Sequence, residues 1–454
     1  MKRLLFCVVA LIAVAALVAP TYAAEMNING INRIKFISAE NMDGDDDTDD
    51  NANFVKQRLR MYFTSVASEN LKVVYKNEID FEWGDNSFNS GDTTRGGGGR
   101  LGGDQVNLET KNIYMEFMVP DTPLKATLGL QGVTLHKGWF ISDDISAARF
   151  DLNFDPVSVM AYWGIANDQD FTDASDDVWQ AVASGAYKAE NMDARLSFGY
   201  EKGQDDPTYA NVKSDDFFLV MGELNMSFDM FSFFVIGAAN FGERDGDNSA
   251  AGNALDRDYS GYMFHAGVNF ALDMATIRAQ AFYASGDDEK TYDSDGDGVD
   301  DTRVNTDDDF RTMSGQTFSW AEIVSDGYFW EANSNMTQIS SVGQDYNPPG
   351  HSASNHPSNV IALDVGADFK PTDTTTISAD IWYITMVEDR TVGGSDEDDV
   401  GIEIDAKVVQ KVYDNLDLLI VGAYMLANDG YGTDALDNSG DDAYVIGMGL
   451  NYKF

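Results

Sequence analysis

The chain has 454 residues and carries 76 Asp and Glu against 30 Lys and Arg, a formal charge of −46 that would repel a phosphate backbone and excludes nucleic acid as a partner. It is 43% hydrophobic and 12% aromatic, with 41 Gly and 9 Pro. Beyond Ala23 no uninterrupted apolar run is long enough to cross a bilayer as a helix, so a membrane would be entered only as a β-barrel.

Met1, Lys2 and Arg3 form a basic start, Leu4 to Ala19 is apolar, and Thr21-Tyr22-Ala23 supplies small residues at the positions a signal peptidase needs. We expect a signal peptide over 1–23 and a barrel over 24–454. Cys7, the only cysteine, lies ahead of the cleavage site, and the mature chain is expected to be cysteine-free.

Segments of alternating polarity then follow at 26–38, 54–68, 71–83, 107–119, 124–135, 147–154, 157–165, 178–190, 192–202, 216–228, 230–243, 259–272, 274–285, 359–370, 374–388, 400–413, 416–428 and 443–454. Short turns such as Glu69-Asn70 and Asp155-Pro156 alternate with long, acidic connections such as the one containing Asp43 to Asp50. This rhythm predicts an all-β, transmembrane, antiparallel up-and-down β-barrel of about eighteen strands, with sixteen as the alternative. Periplasmic turns, extracellular loops and two periplasmic termini follow from it.

Parity assigns the faces, because charges must look into water. In 54–68, Val55, Leu59, Met61 and Phe63 face lipid, while Lys56, Arg58 and Arg60 face the lumen. In 71–83, Leu71, Val73, Tyr75, Ile79, Phe81 and Trp83 face lipid, and Lys72, Lys76, Glu78, Asp80 and Glu82 face the lumen. With Arg33 and Lys35 these bases make a basic wall, whereas Asp364, Asp368, Asp380, Glu403 and Asp405 load later strands with acid. Opposed walls of this kind would set up a transverse field. Phe217 to Phe228 and Phe231 to Ile236 are apolar on both parities, which implies an inserted loop on their inner side or a subunit interface.

The connection 286–357 is too long for a plain hairpin loop. Its Asp293, Asp295, Asp297 and Asp301 stand at the spacing of a calcium loop, although Val304 replaces the bidentate Glu of an EF-hand. Bound calcium there, or a solvated acidic tip, are the two readings, and no other cofactor is expected. The aromatic run Phe318 to Ile323 with Tyr328-Phe329-Trp330 does not suit a solvated tip, and we expect it to fold into or over the pore with a short helix at Trp320 to Ser325. Of four histidines, His351 and His356 sit in a loop, and the sequence offers no Ser/His or Asp/His grouping of the kind barrel hydrolases use, so no enzyme is expected.

The last strand, Ala443 to Phe454, sets Tyr444, Ile446, Met448, Leu450, Tyr452 and Phe454 on one face and ends on an aromatic. It resembles the C-terminal strand of bacterial outer-membrane barrels, with Tyr452 and Phe454 as the signal read by the barrel assembly machinery. Phe54 to Asp85 (FVKQRLRMYFTSVASENLKVVYKNEIDFEWGD) and Ile113 to Leu135 resemble the outer-membrane homotrimeric porin family of sulfate-reducing and related bacteria, and Val400 to Ala427 is also similar to alginate-export barrels. The resemblance implies a Gram-negative outer membrane, surrounding lipid, a homotrimer and small hydrophilic solutes as passengers. The expectation is passive diffusion, cation-preferring because the loops are so acidic. The alternatives are a conduit for an anionic polysaccharide and a mainly structural surface barrel.

Overall fold

The computed structural model describes residues 24–42, 44, 51–84, 96–99, 101–102, 108–167, 177–204, 212–246, 257–287, 291–292, 302–303, 306–316, 318–325, 358–392, 395–431 and 440–454. Residues 1–23, the expected signal peptide, lie outside them. Eighteen long strands run in chain order: β1 (Glu25–Glu40), β2 (Ala52–Ser68), β3 (Leu71–Trp83), β4 (Glu109–Met118), β5 (Leu124–Leu135), β6 (Ile141–Phe154), β7 (Val157–Asn167), β8 (Val178–Ala189) and β9 (Met192–Gln204). They continue with β10 (Val212–Ser227), β11 (Phe231–Gly246), β12 (Tyr262–Ala271), β13 (Ala275–Ala284), β14 (Val360–Thr372), β15 (Thr375–Val392), β16 (Ser395–Tyr413), β17 (Leu416–Ala427) and β18 (Ala443–Lys453). Each pairs antiparallel with the next, and β18 pairs with β1 from Ile31↔Lys453 to Glu40↔Tyr444. The sheet is closed and has no edge.

The alternation that identified the strands also explains why the barrel forms. Outward positions carry exposed large apolar side chains on strand after strand, among them Ile28, Ile113, Phe150, Trp163, Phe264, Ile381 and Ile446. A belt of this kind is stable only against hydrocarbon, and a Lys or Arg placed on it would cost ~2–4 kcal/mol at the membrane midplane. No helix among the described residues is long and apolar enough to cross a membrane. The strands do the crossing.

Closure is sealed by the last residue. Gly30 N–H donates to the Phe454 carbonyl at 2.9 Å and Phe454 N–H to the Gly30 carbonyl at 3.1 Å, while the Tyr452 and Phe454 rings stack 5.8 Å apart. A Cβ at position 30 would meet the Arg60 carbonyl oxygen at 2.3 Å and the Phe454 ring at 2.6 Å, so the seam needs a glycine there. Deleting Phe454 removes the two bonds at this end of the seam and the aromatic ring beside Tyr452. Outer-membrane levels of the truncated protein are expected to fall severalfold, and normal levels in fractionated envelopes would contradict this role.

Three local expectations change. The strand expected at 147–154 begins at Ile141, so the connection before it has only five residues, 136–140. The last two long strands of the middle region extend to Val392 and from Ser395, leaving almost no loop between them. Residues 321–325 form bends and turns rather than a helix. The Ser325 hydroxyl accepts the N–H groups of Trp320 and Ala321 and closes that turn.

Candidate functional site

The lumen is crossed by two inserted pieces of chain. The first is the tip of the β5–β6 hairpin. Pairing of β5 with β4 ends at Leu130 and pairing of β6 with β7 ends at Ser146, yet β5 and β6 stay paired to each other as far as Leu135↔Ile141. Freed from the wall on both sides, the tip turns inward and reaches the opposite strands. There His136 Nε2 lies 2.7 Å from Ser197 Oγ on β9, and Trp139 Nε1 donates to His265 Nδ1 on β12 at 2.9 Å.

The second piece is the segment 306–325 of the β13–β14 connection. Arg311 N–H donates to Asn240 Oδ1 on β11, Ser314 N–H and Oγ–H donate to the two oxygens of Glu201 on β9, and the Gly315 carbonyl accepts Ser142 N–H on β6. The chain then returns across the barrel to β16, where Glu403 accepts Ile323 N–H at 2.6 Å on one oxygen and Val324 N–H at 3.0 Å on the other. Between these anchors the two pieces pack on each other: Trp139 stacks on Phe318 with ring centres 4.2 Å apart, and both rings meet His265 and Phe282 edge to face. Phe217, Leu219, Met221 and Ile236 line the wall behind this core and are buried by it. The greasy inner face of β10 and β11 is thus covered by inserted chain, one of the two sequence readings; of the aromatic run, Phe318 and Trp320 pack inside the barrel, and Tyr328-Phe329-Trp330 lie outside the described residues.

On the other side of the hairpin tip the surroundings are charged. Asp144 accepts Lys111 Nζ at 2.7 Å and Asn112 Nδ2 at 2.6 Å. Lys76 stands in the field of Asp144, Arg60 and Lys111, with its Nζ 5.2 Å from the centre of the Tyr62 ring, and makes no ion pair among the described residues. An acid on the inserted tip therefore faces bases on the wall.

Apart from Lys76, the wall bases are held by partners at contact range. The register sets Lys56, Arg58 and Arg60 opposite Glu82, Asp80 and Glu78, giving Arg58–Asp80 at 2.8 Å, Lys56–Glu82 at 3.9 Å and a direct Arg60–Glu78 pair. Arg33 and Lys35 lie opposite Arg58 and Lys56 on the same face, and both have partners of their own. Lys72 pairs with Glu116 at 2.9 Å. On the acidic side, Arg278 takes Asp368 at 3.1 Å and Asp380 at 2.6 Å, Gln280 donates to Asp364 at 3.0 Å, and Glu403 is spent on the inserted segment beside buried Asp405. The bare opposed walls expected from the sequence are replaced by short-range pairs. Glu78, Asp80 and Glu109 bring carboxylate oxygens within 4.8 Å of one another, but Arg58 and Arg60 already engage the first two.

Residues the sequence reading passed over include Asp144 at the tip, Lys111 on the facing β4 wall, Arg278, and the anchors Glu201 and Asn240. Arg278 carried a legible signal, the lone charge on the inward parity of an otherwise alternating strand. Asp293, Asp295, Asp297 and Asp301, together with His351 and His356, lie outside the described residues.

No family model and no curated sequence matches the chain. Solved structures do. Pseudomonas aeruginosa OpdK, crystallised with vanillate, superposes with a TM-score of 0.56 at 9% identity over 95% of this chain and 98% of that one. Pseudomonas aeruginosa OccK8 (OprE) gives 0.55 at 11% identity over 95% and 98%, and Pseudomonas aeruginosa OccK2 (OpdF) in complex with glucuronate gives 0.53 at 9% over 95% and 96%. At such identities the likeness concerns the backbone. The chain has the fold of a closed, eighteen-stranded outer-membrane barrel.

Proposed function

We propose that this chain is an outer-membrane porin through which small hydrophilic solutes and ions diffuse passively, with a preference for cations. The observation that carries the reading is the charged zone between the inserted hairpin tip and the β2–β4 wall, where Asp144 faces Lys76 and Lys111 inside a closed barrel. Cation preference is supported by the pairing of the wall bases. A base held against a carboxylate contributes little net field, so the acidic excess of the chain dominates, screened only beyond ~8 Å at physiological ionic strength.

Reversal potentials across a salt gradient test this. Wild-type protein is expected to prefer cations, most strongly at low salt. Replacing Arg58 and Arg60 together by Gln leaves Glu78 and Asp80 without their bases, and should raise the cation-to-anion permeability ratio roughly twofold or more. Anion preference in the wild type would overturn the proposal and favour carriage of small organic acids, since vanillate and glucuronate in the two neighbouring structures are both carboxylates. Export of an anionic polysaccharide is less well supported, because a polyanion needs a continuous track of free bases. The same proposal includes calcium on Asp293, Asp295, Asp297 and Asp301 at the mouth, and the trimer that the family resemblance implies, which chemical crosslinking in native envelopes would reveal.

A further inference from the structure

Where β6 leaves the wall, a cavity opens along its edge. Pairing with β7 stops at Ser146↔Ile165, so the stretch from Ile141 to Ile145 keeps β5 as its strand neighbour and loses β7. The inserted segment moves into part of the vacated space: the Gly315 carbonyl accepts Ser142 N–H at 2.8 Å, and a Cβ on Gly315 would stand 3.1 Å from Asp143 Cβ. What remains is a cavity of about 80 Å³ between the edge of β6, the adjoining ends of β7 and β8, and residues 314–315. By the same measure a single water needs ~10–15 Å³, so the space admits a small organic molecule.

The lining is apolar on one side and rich in acceptors on the other. Ile141, Ile145 and Ile165 supply the apolar part, and Asp143 and Asp144 are its acids. The two acids are not equivalent. Asp144 is satisfied by Lys111 at 2.7 Å and Asn112 at 2.6 Å. Asp143 is exposed, makes no ion pair among the described residues, and accepts the Asp144 N–H on one oxygen at 2.7 Å. Neighbouring donors are spent: Ser314 N–H and Oγ–H go to Glu201, and the Gln180 amide donates to Glu201 and to the Ser314 carbonyl. A carboxylate with lone pairs to spare, beside an isoleucine surface and short of donors, suits a cation that brings N–H groups and an apolar tail.

We propose that this cavity binds small primary alkylammonium ions, with Asp143 as the counter-ion and Ile141, Ile145 and Ile165 around the alkyl group. The ammonium donates to the second Asp143 oxygen and to water at the exposed edge, while the alkyl chain leaves water for the isoleucines. Each rival ligand lacks one of these terms. A quaternary ammonium ion carries the charge without an N–H, an alkali ion has no apolar part, and a carboxylate would meet Asp143 with Lys111 already engaged by Asp144. The inference rests on the porin reading for access of solutes to the lumen, and deepens it by naming a solute class that the channel holds.

Binding is measured directly, by saturation-transfer difference NMR of propylammonium on the folded, full-length protein in detergent, with tetramethylammonium as the control. A saturable propylammonium signal is expected, severalfold stronger than that of tetramethylammonium. Asp143→Asn keeps an oxygen for the Asp144 N–H but loses the charge, and should weaken binding roughly tenfold or more. Ala166→Leu fills the edge of the cavity, leaves Asp143 in place and should weaken binding severalfold. Heat-modifiable migration shows that each variant is folded. A wild-type signal no stronger than that of tetramethylammonium, or one unchanged in Asp143→Asn, overturns the proposal. Loss in Asp143→Asn with Ala166→Leu unaffected would assign the binding to charge alone and overturn it as well. Conductance separates the two readings: propylammonium bound by a protein that forms no channel would sink the porin reading and leave the site standing, and a cation-selective channel without binding would do the reverse.

Discussion

Replacing Glu403 by alanine is expected to raise single-channel conductance and to add flicker between levels. The Glu403 carboxylate is fully buried, and each of its oxygens receives one backbone N–H from the inserted segment, Ile323 on one and Val324 on the other. Removing it strands two buried donors, a cost of ~1–3 kcal/mol each, which is enough to loosen the end of a segment whose regular structure among the described residues is the two-residue strand Thr306–Asp307. The remaining anchors include Glu201 on Ser314, Asn240 on Arg311 and Ser142 N–H on the Gly315 carbonyl, at the far side of the lumen. Glu201→Ala combined with Glu403→Ala should therefore exceed either change alone, since it weakens the crossing at both ends. Glu403→Gln keeps one acceptor oxygen and should fall between wild type and alanine. Planar-bilayer recordings of protein that still shows heat-modifiable migration decide the matter. Unchanged conductance in the double variant would mean that the segment does not narrow the path.

The barrel was legible because one face of each strand meets lipid. Apolar side chains at every second position identified all eighteen strands, and the inward parity of Lys56, Arg58, Arg60, Lys72 and Lys76 followed from the same rule. The rule fails where a strand leaves the wall. From Ile141 to Ser146 neither face meets lipid: Ile141 and Ile145 pack into the inserted core, and Asp144 turns toward Lys111. Without the two-residue period this stretch reads as loop, and the hairpin that narrows the lumen went unseen. Pairing of charges was hidden for a different reason. Parity shows which face a base occupies, but only register shows that Arg58 stands opposite Asp80 and Arg60 opposite Glu78. Contacts such as His136 to Ser197 join the hairpin tip to β9, three strands beyond β6, and nothing local to either residue announces them.

Truncating Trp139 is expected to disorder the inserted core while sparing the barrel wall. The side chain is fully buried, stacks on Phe318 at 4.2 Å and meets His265, Phe282 and Phe310 edge to face. Loss of a ring so placed costs ~3–5 kcal/mol, and here the cost falls on two short pieces of chain rather than on the closed sheet. Trp139→Phe separates packing from hydrogen bonding, because it keeps an aromatic against Phe318 but removes the indole N–H that His265 Nδ1 accepts at 2.9 Å. The opposite ring nitrogen of His265 faces Gln280 Oε1 at 3.0 Å and donates to it, so its Nδ1 is left as a buried acceptor without a donor, a penalty of ~1–3 kcal/mol. The expected order of amide exchange over residues 310–325 is therefore wild type slowest, phenylalanine intermediate and alanine fastest, with β1, β2 and β18 unchanged in all three. Equal exchange in the alanine variant and the wild type would show that the backbone anchors at Glu201 and Glu403 hold the segment without the aromatic core.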